Sequence, residues 1–120
     1  MDDGASHGLT GRQIAQLARV LRPWAERIDE VILFGSRAQG TQRPGSDVDL
    51  ALRGRLTRGA LARMEMELAE STLPFEVDLV QLGPDTPPAL AAHIRRVGRP
   101  LLTRADLLAA AEEAPTGTHT

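Results

Sequence analysis

Residues 31–52 read VILFGSRAQGTQRPGSDVDLAL. Val31, Ile32, Leu33 and Phe34 form a short, unbroken apolar run stopped by Gly35, which is the pattern of a buried strand. Residues 36–39 can open a short helix. Residues 40–46, GTQRPGS, are punctuated as a loop by Gly40, Pro44 and Gly45. Residues 47–52, DVDLAL, begin by alternating polar and apolar positions, as a strand does, and Gly54 closes them. The short connection between these two strands favours an antiparallel pair.

Outward from this core, Ile14, Leu17, Leu21 and Ile28 recur at helical spacing behind Thr10, which is placed to cap the helix. Pro23 falls inside the pattern, so the helix either kinks there or divides in two. Downstream, Thr57 precedes a helix with Leu61, Met64 and Leu68 on one face, ended by Pro74. Residues 75–82, FEVDLVQL, set Phe75, Val77 and Leu79 against Glu76, Asp78 and Val80 as a third strand. The helical crossover before it favours a parallel pairing with the second strand. Pro87 and Pro88 suit the first turn of a further helix, with Leu90, Ile94 and Val97 as its face and Gly98 as its stop. Leu101 and Leu102 read as a short extended piece. Thr103 then caps a last helix to about Glu113, with Asp106 in capping-box position. The expected fold is α/β (α+β): a small mixed sheet of three to four strands flanked by helices. Residues 1–8 read as a flexible N-terminus, 9–113 as one domain and 114–120 as a flexible tail.

A chain of 120 residues has the size of one domain and buries roughly two-thirds of its unfolded surface. It has no cysteine, so disulfides and thiolate-bound zinc are excluded. The opening MDDGASHG is acidic and lacks the apolar run of a secretory signal. No apolar run approaches the roughly 20 residues of a membrane span. These features read as a soluble, cytoplasmic protein. All 14 basic residues are Arg and the net charge is −2; the codon preference of a GC-rich genome accounts for the absence of Lys. Trp24, Phe34 and Phe75 are the only aromatics. With neither a basic stripe nor stacking platforms, nucleic acid is not the expected partner.

The chemistry concentrates in three places. A strand running through Gly35 and Ser36 into a helical turn presents backbone N–H groups and a hydroxyl to a phosphate, and glycine permits close approach. Asp47 and Asp49 occupy positions i and i+2 of a strand, so their carboxylates share one face, about 6.5–7 Å apart at the backbone, while Val48 and Leu50 face the core. A hard cation relieves the repulsion between them, and Mg²⁺ prefers a few carboxylates with water and phosphate oxygens. A calcium loop does not fit, because Ala51 and Leu52 stand where it needs a ligand and glycine. Asp78, on the next strand, reaches the same face if the two strands are neighbours. Three like charges on one sheet face destabilise a fold unless a cation binds them.

The compound pattern of Gly35-Ser36, ten residues, Asp47-x-Asp49 and a later strand-borne Asp78 resembles the signature of the DNA polymerase β-type nucleotidyltransferase superfamily. Arg37, Ala38 and Gly40 match the G-S-R-A-x-G form of its minimal nucleotidyltransferase (MNT) branch. The resemblance covers about residues 10–102 and implies the polymerase β-like nucleotidyltransferase fold. It implies two Mg²⁺ ions held by Asp47, Asp49 and Asp78, with ATP as substrate and those aspartates as the catalytic set. Nucleotide binding would fall to Gly35 and Ser36, with Arg37 against phosphate charge. Whether Asp78 is general base or metal ligand alone stays open.

Larger superfamily members carry an acceptor-binding domain for which 120 residues leave no room. The acceptor then comes from a partner, or a second copy completes the site in a homo- or hetero-oligomer. MNT proteins often pair with a helical HEPN-domain protein and, as antitoxins, add AMP to its tyrosine. That is the acceptor the resemblance implies. Transfer to a small molecule, as in aminoglycoside-modifying relatives, and a non-catalytic antitoxin that blocks its partner are the alternatives. The other polar residues read plainly. His7 and His119 belong to the tails, His93 lacks a ligand partner at i±4, and Trp24 packs beside Pro23. Arg95, Arg96 and Arg99 form a solvated cluster near a helix end.

Overall fold

Local chemistry sets the element boundaries. The structure, a computed structural model, describes residues 7–110. Thr10 accepts the Gln13 N–H at 3.0 Å, and Gln13 Oε1 accepts the Thr10 N–H at 3.0 Å. This capping box opens helix α1, Gly11–Leu21. Pro23 ends it by starting a 3₁₀ turn, Arg22–Arg27, because proline tolerates only the first turn of a helix. Ile28 is therefore not on the helical face expected for it. Its N–H closes the turn on the Ala25 carbonyl, and its side chain is the first buried residue of strand β1, Ile28–Phe34.

A four-residue helix α2, Ser36–Gln39, and the loop after it lead to β2, Val48–Gly54. Thr57 accepts the Ala60 N–H at 3.0 Å and caps α3, Arg58–Ala69. Strand β3, Val77–Leu82, starts two residues later than the expected Phe75. Helix α4, Pro88–Val97, is stopped by Gly98, whose N–H bonds to the Ile94 carbonyl at 2.7 Å. Residues 101–102 belong to a full strand β4, Arg99–Thr103. Thr103 and Asp106 exchange bonds of 2.8 and 3.1 Å at the start of α5, Arg104–Ala110. The expected continuation to Glu113 and the tail lie outside the described residues, as do residues 1–6.

The sheet order is β3-β2-β1-β4. β1 pairs antiparallel with β2 and β4, while β2 and β3 are parallel, as the connection lengths require. One sheet face builds the main core: Val31, Leu33, Val48, Leu50, Leu52 and Leu79 are buried with Leu17, Leu21, Met64, Leu68 and Leu107 from α1, α3 and α5. The opposite face is smaller. Ile32, Phe34 and Ala51 pack there against Ile94, with Leu90 and Val97 of α4 beside them. The larger cluster thus lies on the face covered by α1, α3 and α5, and the smaller on the face of α4.

Leu33 is fully buried in the central strand pair, whereas Leu108 is 38% exposed. Urea unfolding should show Leu33→Ala losing about 2–5 kcal/mol and Leu108→Ala changing by no more than about 0.5 kcal/mol. Equal losses would contradict this division of core and surface.

Candidate active site

β1 ends where β2 and β3 begin. The register sets Phe34 opposite Asp49, and Asp49 opposite Asp78. Alternation decides the face. Leu50 and Leu79 enter the main core, so Asp49 and Asp78 stand on the α4 side with Ala51 and Val80. Adjacent strands lie about 4.8 Å apart, which makes these two aspartates lateral neighbours. Asp47 is exposed just ahead of β2, two residues from Asp49 in extended backbone. The N–H between them, on Val48, is held by the Glu76 carbonyl at 2.8 Å.

Gly35 links this cluster to the turn. Its φ of 77° and ψ of −158° are a glycine conformation. A β-carbon there would overlap Asp49 Oδ2 and lie 3.1 Å from Asp49 Cγ. The missing side chain is what allows the Asp49 carboxylate to lie over the Gly35-Ser36 backbone. The first N–H groups of α2 have no intrahelical acceptors. Ser36 is held by its own carbonyl, which accepts from Thr41 N–H at 3.0 Å and Thr41 Oγ1 at 3.3 Å.

Burial, followed by the charges of Asp78 and Asp47, raises the Asp49 pKa above its ordinary value. The two like charges point to a shared field at the three positions. Among the described residues no three His, Cys, Asp or Glu side chains gather closely enough to hold a metal ion by themselves. The site is an open row of hard oxygen donors next to the Gly35-Ser36 turn. Beside it, a cleft of about 740 Å³ between α3 and the approach to β3 reaches Asp47, with Glu65, Leu73, Phe75 and Glu76 among its walls.

Arg37 departs from its expected place against phosphate. It is 4% exposed. Nε and Nη2 donate to the Ser46 carbonyl at 3.1 and 2.9 Å, and Nη1 donates to the His7 carbonyl at 2.9 Å. The guanidinium also lies 5.1 Å from the centre of the Phe75 ring. Three of its five N–H groups are held by backbone carbonyls, which places the guanidinium inside the fold. His7 also differs from the tail residue expected. It is half-buried, and its Nδ1 accepts the Leu9 N–H at 2.9 Å. Burial, then Arg99 and Arg37, lower its pKa, which favours the neutral ring that this bond requires. The Arg37–His7 bond has no signal in the sequence, since it joins residues thirty apart in the chain. His93 packs edge-on against Phe34 at 6.3 Å and meets Arg96 at 3.3 Å, consistent with a non-ligand reading.

The raised Asp49 pKa has a stability consequence. A carboxyl with a raised folded pKa favours folding below its unfolded value, and that contribution is lost as pH rises through the folded value. In the metal-free protein, burial and the charges of Asp78 and Asp47 therefore oppose the ionised form of Asp49. Asp49→Asn should raise the melting temperature at pH 7 in chelator, and the gain should vanish once the pH falls below about 3.8, the ordinary Asp value. A lower melting temperature at pH 7 would contradict the electrostatic account.

The family described as Polymerase beta, Nucleotidyltransferase matches residues 16–107. Protein adenylyltransferase MntA of Shewanella oneidensis is 37% identical over 68 residues, which are 56% of this chain and 49% of that protein. The chain thus spans about half the length of the curated relative it matches. A crystal structure of a toxin-antitoxin with AMP-PNP is similar at a TM-score of 0.64 and 29% identity, over 82% of this chain and 81% of the other. So is a structure of tri-AMPylated Shewanella oneidensis HEPN toxin in complex with MNT antitoxin, at a TM-score of 0.54 and 26% identity, over 81% and 80%. The match to the family takes in Gly35, Ser36, Asp47, Asp49 and Asp78 together, and the chain belongs to the polymerase β nucleotidyltransferase family.

Proposed function

We propose that this chain is a Mg²⁺-dependent protein adenylyltransferase that transfers AMP from ATP to a tyrosine of a HEPN-domain toxin and so acts as its antitoxin. The observation that carries the reading is the Asp49 carboxylate set over Gly35, with Asp78 beside it and Asp47 two residues away. The names of the similar proteins, an adenylyltransferase and an AMPylated HEPN toxin bound to an MNT antitoxin, support the choice of nucleotide and acceptor. The site of action in this proposal is the cytoplasm; no helix among the described residues is long and apolar enough to cross a membrane.

The donor set fits the cation. Mg²⁺ is commonly bound through one or two carboxylates completed by water and substrate phosphates, and an open row of aspartates provides that. When bound to Asp47, Asp49 and Asp78, two such ions would neutralise triphosphate charge and stabilise the entering and leaving oxygens. The remaining work belongs to the chain. Gly35 and Ser36 receive the β- and γ-phosphates on backbone N–H groups and the Ser36 hydroxyl. The acceptor oxygen bonds to the α-phosphorus, the bond from that phosphorus to the β-phosphate bridging oxygen breaks, and pyrophosphate leaves. Asp78, exposed at the start of β3, takes the hydroxyl proton.

These residues contain no tyrosine, so labelled phosphotyrosyl product identifies another chain. With ATP labelled on the α-phosphate, Mg²⁺ and host lysate, the wild type should label one HEPN-domain protein on tyrosine. Changes around a metal's ligands already cost about 10–100-fold, so the Asp47→Asn, Asp49→Asn pair should lose more than about 100-fold. Gly35→Ala should fail similarly, by displacing Asp49. Label found in small molecules alone would replace the protein acceptor. A double variant that neutralises the toxin as well as wild type would replace catalysis with blockade.

A further inference from the structure

Arg37 sits at the one point where the three segments of the site meet. It follows Ser36 directly, so its backbone belongs to the phosphate-facing turn. Its Nε and Nη2 both donate to the carbonyl of Ser46, the residue immediately before Asp47. Its Cζ lies over the Phe75 ring, 5.1 Å from the ring centre, three residues before Asp78. Nη1 reaches back to the carbonyl of His7. A β-carbon at Gly8 would come within 2.9 Å of Nη1, so the N-terminal segment is closely fitted against the same group.

We propose that Arg37 is a positioning residue that sets Asp47, and with it the entry of the Asp78 strand, relative to the Gly35-Ser36 turn; the catalytic part of this inference rests on the reading above. The loop from residue 40 to 46 contains Gly40, Pro44 and Gly45, and its near end is tied to the turn by Thr41, whose N–H and Oγ1 donate to the Ser36 carbonyl. Arg43 N–H bonds to Ser46 Oγ at 2.8 Å, and Ser46 N–H to the Arg43 carbonyl at 2.9 Å, which closes a small turn without attaching it to the domain. Arg37 attaches the far end, at Ser46. Two N–H groups on one guanidinium edge fix both the distance and the direction of the Ser46 carbonyl, and the next peptide begins Asp47. Lysine offers a single ammonium without that edge. Packing of the Phe75 ring against the guanidinium holds the entry of β3 in the same frame.

The test compares Arg37→Lys and Phe75→Leu with wild type, by hydrogen exchange of the metal-free proteins and by transfer kinetics with ATP and Mg²⁺. Arg37→Lys should speed exchange at Ser46 and Val48 by about tenfold or more, with the core amides of β1 unchanged. Its kcat should fall on the order of 100-fold, with the Mg²⁺ half-saturation raised and the ATP KM within about twofold. Phe75→Leu, which keeps the Ser46 bonds, should shift the same quantities less and serves if Arg37→Lys does not fold. A raised ATP KM with unchanged exchange at Ser46 and Val48 would overturn the inference in favour of a phosphate contact. Unchanged exchange and unchanged kcat would overturn it outright. A wild type inert toward every acceptor would defeat the functional reading alone, and exchange at Ser46 and Val48 would then decide the positioning role.

Discussion

Strand β2 carries the core on one face and the chemistry on the other, and its register ties the two together. Val48, Leu50 and Leu52 are fully buried, and Asp49 lies between them on the opposite side. A slip of one residue against β1 or β3 would turn those three side chains to solvent and drive Asp49 into the core. Burial of the three therefore fixes the aspartate without any bond to its carboxylate. The same register places Phe34 and Asp78 on either side of Asp49. Packing energy thus enforces the geometry of the site.

That geometry is unfavourable in isolation. Asp49 is half-buried, lies where a side chain at Gly35 would have to be, and feels two further carboxylates. Burial and the neighbouring charges both work against the ionised carboxylate. Such a site persists where the surroundings over-determine it. Here the surroundings are the covered face of the sheet, with α1, α3 and α5 against it. The α4 face holds the smaller cluster, and it is the one that bears the charges.

The sequence displayed the fold where a single local rule was decisive. The capping pairs Thr10–Gln13 and Thr103–Asp106, the Gly98 stop and the strand alternation of residues 47–52 all appear in the structure. Ile28 misled because Pro23 shifts the chain from helix to strand while the apolar spacing continues across the break. Phe75 was assigned to a strand on alternation, but its ring is engaged by Arg37 two residues before the strand begins. Asp47, Asp49 and Asp78 were legible because strand parity and a compound motif agreed. Arg37 was not, since its partners at Ser46, His7 and Phe75 are set by tertiary packing and none follows from spacing.

Composition also concealed the meaning of that arginine. With all 14 basic residues Arg, codon bias explains any one of them, and most are exposed at the surface where Lys would serve. Arg63, paired with Glu67 at 3.6 Å on one helix face, is of that kind. Arg104 is intermediate: it reaches the carbonyls of Ala25 and Ile28 as well as Asp29. Arg37 is the buried extreme, where the planar fork addresses one carbonyl with two donors and sets its Cζ over the Phe75 ring. The residue type that the genome supplies everywhere is required by geometry at this position, because an ammonium buried there would leave Ser46 held by a single donor.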